Sequence, residues 1–130
     1  MEALAFDTTF LIDFQRERRA GRGKAHSFLR ANSECLAFLP VTAYGEYAEG
    51  FDRFDDLNFL QVVDSFEILP ITPTVATTYA VVTRKLRSLG NLIGTNDLWI
   101  AATAIERQLP LVTRNVEHFT RVADLEVRGY

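Results

Sequence analysis

The sequence predicts an α/β protein with a mostly parallel central sheet. Apolar runs of strand length recur along the chain, at Ala3–Phe6, Cys35–Leu39, Phe66–Ile71 and Leu109–Thr113. Segments with helical periodicity or helix-end signals separate them, so strands and helices alternate from one end to the other. No linker, repeat or low-complexity tract interrupts the alternation, and residues 1–130 are expected to form one domain, near the usual domain size. A hydrophobic share of 48% with 24% charged residues is ordinary for a soluble globular chain.

Ala3-Leu4-Ala5-Phe6 reads as a buried first strand, ended by Asp7. Thr8 to Phe14 turns into a helix for which Asp7 or Thr8 is a suitable N-cap. Gln15 to Lys24 is polar and basic and holds two glycines, which suits a loop or a frayed helix end; Lys24 to Ala31 follows as a short helix. Cys35–Leu39 is the second strand, closed by Pro40. A helix opens near Thr42, with Val41, Tyr44, Ala48 and Phe51 on one face and Glu46 off it. A second helix over Phe54–Val63 is expected to turn Phe54, Leu57, Leu60 and Val63 inward.

Phe66–Ile71 makes the third strand. Pro73 suits the first turn of a helix that runs to about Leu89 and stops at Gly90. Asn91–Thr95 is a loop before an alanine-rich helix over Asn96–Gln108, with Leu98, Ala101, Ala102 and Ile105 on one face. Leu109–Thr113 is the fourth strand, Arg114–Phe119 a turn or short helix, and Leu125–Arg128 an edge strand.

The formal net charge of -3 does not by itself mark a nucleic-acid binder. Acids gathered around a metal ion are partly neutralised by it, however, so the distribution of charge matters more than its sum. Five basic residues, Arg16, Arg18, Arg19, Arg22 and Lys24, fall in one short segment. That segment could guide an RNA backbone, or it could be a solvated loop. The single cysteine, Cys35, has no partner for an internal disulfide and no Cys or His neighbour at zinc spacing. No apolar run approaches the ~20 residues of a membrane span, and no basic-then-apolar leader opens the chain; the cytoplasm is the expected location.

Three acids stand out. Asp7 follows the first strand, Glu46 lies in a mid-chain helix, and Asp97 opens an otherwise apolar helix. Each has an ordinary role available: Asp7 as a helix cap, Glu46 as a solvated helix residue, Asp97 as a partner of the helix dipole. Together they point further. Sites in open parallel sheets form where strands end, and Asp7 and Thr113 each follow directly on a strand. Carboxylates without a Cys or His cluster select a hard cation, Mg²⁺ or Mn²⁺, over zinc. Such an ion activates water and screens phosphate charge, the chemistry of phosphate-ester hydrolysis.

The blocks Phe6-Asp7-Thr8-Thr9-Phe10-Leu11-Ile12, Thr42-Ala43-Tyr44-Gly45-Glu46, Asn96-Asp97-Leu98-Trp99-Ile100-Ala101-Ala102-Thr103-Ala104 and Leu111-Val112-Thr113-Arg114-Asn115-Val116-Glu117-His118-Phe119 resemble those of the PIN-domain nucleases. Within that group the chain looks like the VapC-type toxins of bacterial toxin–antitoxin pairs. The resemblance covers essentially the whole chain, in order. It implies a three-layer α/β/α sandwich and a Mg²⁺- or Mn²⁺-dependent endoribonuclease, with Asp7, Glu46 and Asp97 as the metal-binding acids. Many members carry a fourth acid where this chain has Asn115, which offers a neutral carbonyl ligand or holds a water. Thr8 and Thr113 are then candidates to orient a carboxylate, a water or the scissile phosphate, and Arg114 to contact phosphate; the two threonines could equally bond local backbone. His26 and His118 are expected to be structural.

The implied partners are RNA, with tRNA and rRNA as candidate classes, a VapB-like antitoxin, and a second copy of the chain. A PIN-like RNA- or protein-binding module without turnover is the alternative, supported by Asn115 and opposed by the three retained acids. A phosphoacceptor domain would want a lysine after a late strand, where Thr113-Arg114 stands; a haloacid-type phosphatase would want a second acid at Thr9.

Overall fold

The computed structural model describes residues 1–130. The first strand, β1 (Ala3–Phe6), is buried along nearly its whole length, as a strand covered on both faces must be. It forms the centre of the sheet. Strand β2 (Leu36–Pro40) pairs with it in parallel, Ala5 opposite Phe38, and β3 (Glu67–Leu69) pairs with β2. On the other side β4 (Leu111–Val112) sets Leu111 opposite Ala5 and Val112 opposite Phe6, and β5 (Val127–Arg128) closes that edge. The order is β3-β2-β1-β4-β5, and all five strands are parallel.

Seven helices flank the sheet: α1 (Thr8–Glu17), α2 (Lys24–Ala31), α3 (Val41–Ala48), α4 (Leu57–Val63), α5 (Pro73–Ser88), α6 (Thr95–Glu106) and α7 (Val116–Phe119). The alternation of side chains along β1 divides the core. Ala5 joins a large cluster that includes Tyr47, Phe59, Leu86 and Ala101, whereas Leu4 and Phe6 join a smaller one with Phe10, Ala25 and Val112. The smaller cluster is aromatic-rich: Phe10 packs at 4.7 Å from Phe6 and 4.9 Å from Tyr130, centroid to centroid.

Local signals set several helix ends. Thr72 caps α5 by accepting from the Val75 amide, with Pro73 at its first position. Gly90, at φ 64°, ends the same helix; the Asn91 and Gly90 amides donate back to Leu86 and Arg87 in a Schellman arrangement. The alanine-rich α6 is buried on more than one side, with Ile100, Thr103 and Ala104 covered as well as Leu98, Ala101 and Ala102. Small side chains let it lie between α5 and α3.

Two expected helix faces are rotated. On α3 the buried residues are Ala43, Tyr47 and Ala48, while Val41, Tyr44 and Phe51 are only partly covered. The helix packs against both α1 and α6, which pulls Tyr47 inward, its hydroxyl donating to Gln15 Oε1 at 2.6 Å. The next helix begins only at Leu57, capped by Asp56, so Phe54 precedes it. Phe59, Val62 and Val63 are the buried positions of α4, and Phe54 and Leu57 are 62% and 70% exposed.

From β1 the chain builds outward through β2 and β3, then returns to the opposite side of β1 for β4 and β5. The direction of winding therefore reverses between β1 and β4. A crevice outside the carboxyl ends of those two strands is the expected place for a site.

Candidate functional site

Asp7 and Thr113 are the first residues beyond β1 and β4, at the reversal point. They meet there: Thr113 Oγ1 donates to Asp7 Oδ2 at 2.6 Å, in a buried contact between residues 106 positions apart. The other oxygen of Asp7 caps α1, accepting from the Phe10 amide at 3.2 Å and the Thr9 hydroxyl at 2.6 Å. Thr113 Oγ1 is itself fixed by the Asn115 amide at 3.0 Å. Only 3% of Asp7 is exposed. Burial pushes its carboxyl above the usual aspartate range. The hydroxyls of Thr113 and Thr9 and the Phe10 amide offset part of that, and the charge of Asp97 pushes in the same direction as burial.

Glu46 reaches this rim from α3. Its Oε1 accepts from Thr8 Oγ1 at 2.7 Å, and its Oε2 from Asn96 Nδ2 at 3.3 Å. Asn96 directly precedes Asp97 in the first turn of α6. Asp97 Oδ2 in turn lies 2.8 Å from His118 Nε2, on α7. The three acids thus fall on one continuous patch drawn from β1, α3 and α6. An open groove beside it is lined by Asp97, Arg114, Asn115, Glu117, His118 and Arg121.

Arg114 is anchored at the same rim. Its amide donates to Thr9 Oγ1 at 3.2 Å, and its guanidinium Nη1 donates to Asp13 Oδ1 at 2.7 Å. The second Asp13 oxygen accepts from the Tyr130 hydroxyl at 2.6 Å. Burial and the Asp13 carboxylate hold that phenol well above its usual range, so it stays a donor. Half of the Arg114 side chain remains exposed to the groove.

Asp7, Thr8, Glu46, Asp97, Thr113, Arg114 and Asn115 are therefore brought together. The basic segment is not. Helix α1 carries Arg16 and its successors to the far end of a ten-residue helix, about 15 Å along its axis from Asp7. There Arg18 bonds Gln61 of α4, and Arg16, Arg19, Arg22 and Lys24 are exposed. Four contributors were not singled out from the sequence. Thr9 lies two positions past Asp7, Asn96 adjoins Asp97, Asp13 lies on the helix that Asp7 caps, and His118 lies three positions past Asn115.

No three of the His, Cys, Asp and Glu side chains converge closely enough to enclose an ion; each of the three acids turns to its own protein donors. In kind the donor set suits a hard cation. It offers a desolvated carboxylate in the field of a second one, a third carboxylate on the same patch, an amide oxygen, and no thiol. A buried acid beside a like charge is the arrangement that a cation relieves.

Residues 4–125 match the PIN domain family. The chain is 33% identical over 132 residues to Ribonuclease VapC of Rickettsia bellii, covering 95% of this chain and 93% of that protein. It is 30% identical over 126 residues to Ribonuclease VapC1 of Methanocaldococcus jannaschii, covering 95% and 84%. Its fold is shared with VapBC2 from Rickettsia felis bound to a DNA fragment from their promoter, at a TM-score of 0.86 and 19% identity over 98% of both chains. DNA-bound VapBC from Salmonella typhimurium superposes at 0.81, with 20% identity over 99% and 98%. By its matched length and by these relatives, the chain belongs to the PIN-domain family, in the VapC ribonuclease branch.

Proposed function

We propose that this chain is a VapC-type endoribonuclease toxin that hydrolyses RNA phosphodiester bonds with Mg²⁺ or Mn²⁺ and is neutralised by a VapB-like antitoxin. The observation that carries the proposal is the single patch of acids at the reversal point, Asp7 bonded to Thr113 and Glu46 bonded to Thr8 and Asn96, with Asp97 felt by Asp7. Asp7, Glu46 and Asp97 would hold the cation, with the Asn115 amide in the groove as a neutral donor. When bound, such an ion supplies water activation and neutralises charge at the phosphate.

The protein groups position the rest. Three donors fix Asp7, while Glu46 and Asp97 are partly exposed and hold fewer partners. Arg114, steadied by Asp13, presents a guanidinium suited to a phosphate oxygen of the RNA strand. The VapC relatives support the ribonuclease reading, and the VapBC complexes of the same fold support an antitoxin partner. Exposed Phe54 and Leu57 offer apolar surface to that partner or to a second copy in a homodimer. No helix is long and apolar enough to cross a membrane.

Purified protein with Mn²⁺ or Mg²⁺ should cleave RNA drawn from tRNA and rRNA pools. Asp7→Asn and Asp97→Asn should each lower the rate by more than about 10²-fold, beyond the loss that follows removal of an outer-shell partner of a metal ligand. Equal cleavage by the wild type and both variants overturns the proposal. A binding module without turnover is the second reading, favoured by Asn115 in place of an acid and by the unconverged carboxylates. It requires RNA retention with no products under any divalent ion.

A further inference from the structure

We infer that His118 is a positioning residue for Asp97, orienting its carboxylate for the cation; the inference rests on the metal-nuclease reading above. The acids of the patch are all braced, but not by the same chemistry. Asp7 is braced by two hydroxyls and an amide, and Glu46 by a hydroxyl and a side-chain amide. Asp97 has one brace, the imidazole of His118, whose Nε2 lies 2.8 Å from Oδ2. With Nε2–H as the donor, one carboxylate oxygen is occupied and Oδ1 is left without a protein partner.

The ring that does this is held in place. His118 lies in α7, which is pinned by Phe119, fully buried in the large core. The imidazole stands edge-on to the Phe119 ring, with centroids 5.4 Å apart and planes at 82°. The same turn follows directly on Thr113, Arg114 and Asn115. One short segment after β4 thus braces Asp7 through Thr113 and Asp97 through His118, coupling two acids from distant parts of the chain. Outer-shell partners of this kind set the orientation of a ligating carboxylate, and their removal typically weakens metal affinity.

The test measures Mn²⁺ binding by calorimetry and by electron paramagnetic resonance at one fixed pH, alongside cleavage at saturating Mn²⁺. His118→Ala should weaken Mn²⁺ binding about 10- to 100-fold and alter the resonance signature. His118→Gln, which keeps a neutral N–H donor, should recover most of the affinity, and His118→Phe, which keeps the ring volume without a donor, should not. The last two variants decide the matter if the alanine protein does not fold. Unchanged or tighter binding in His118→Phe overturns the positioning role, because the imidazole would then be idle or a competitor for Asp97. Failure of the wild type to bind Mn²⁺ at all overturns the metal reading itself, and this inference with it.

Discussion

The two ends of α1 each carry a carboxylate that accepts three hydrogen bonds. Asp7, at the start, accepts from Thr9, Phe10 and Thr113. Glu17, at the end, accepts from the amides of Ala25 and His26 and contacts the His26 ring at 3.0 Å. Both sit at a helix N-terminus: Asp7 caps α1, and Glu17 caps α2 in place of Gly23, which has no side chain to do so. Yet their electrostatic states are opposite. Burial pushes Glu17 up, but the His26 amide, the His26 ring and the Ala25 amide together carry it below the usual glutamate range. Asp7 ends above its usual range because burial there is nearly complete, and the charge of Asp97 adds to it. The same number of hydrogen bonds with unequal outcomes points to the depth of burial as the deciding difference, with the neighbour's charge a lesser cause. The end of α1 that is held at an electrostatic cost is the end that belongs to the acidic patch.

That contrast can be broken at its strongest point first. Gly23 has φ 149°, and a Cβ on it would fall 2.1 Å from Glu17 Cδ, so alanine there both strains the backbone and expels the cap. Gly23→Ala should destabilise the protein by roughly 1–3 kcal/mol, read from denaturant unfolding. A neutral result would mean that the Glu17 cap contributes little.

Next, Asp7→Asn should raise the stability of the metal-free protein by roughly 0.5–2 kcal/mol, the usual scale for relief at a functional site, while removing cleavage. The sign follows from linkage. A carboxyl raised in the folded state binds its proton more tightly folded than unfolded, so wild-type stability falls as pH rises from the ordinary aspartate range through the raised value. The asparagine variant should lack that slope, and a lower melting temperature in Asp7→Asn would sink the account.

The smallest effect belongs to Glu17→Gln, which keeps an acceptor and should cost about 0.5 kcal/mol near neutral pH. Here the folded value is depressed, so the wild-type advantage is full above the ordinary glutamate range and fades as pH falls below it. Melting curves of the two proteins should converge in acid. Cleavage per folded molecule should be unchanged; a loss would bring the Arg16–Lys24 turn onto the RNA.

Much of this was legible in residue order. The first strand, the Pro73 start of α5 and its Gly90 stop all rest on signals within one turn. The α3–α4 region was misread because the apolar stripe from Val41 to Phe51 runs past the end of α3 at Ala48. Its continuation reflects packing around Phe59, where Tyr44, Tyr47, Phe51 and Phe54 all gather, rather than a helix period. Nothing near His118 in sequence indicates its carboxylate partner; Asp97 stands 21 positions earlier.

Residue order alone determined the alternation of strands and helices, the buried first strand, and the acids that end or open those elements, because each depends on neighbours within a few positions. Only the tertiary structure decided that β4 returns beside β1 and so lays Thr113 on Asp7, that α1 and α6 both reach Glu46, and that the basic turn ends up away from the acids. Those outcomes depend on which strands pair and which way each helix runs, and no local pattern of side chains specifies either.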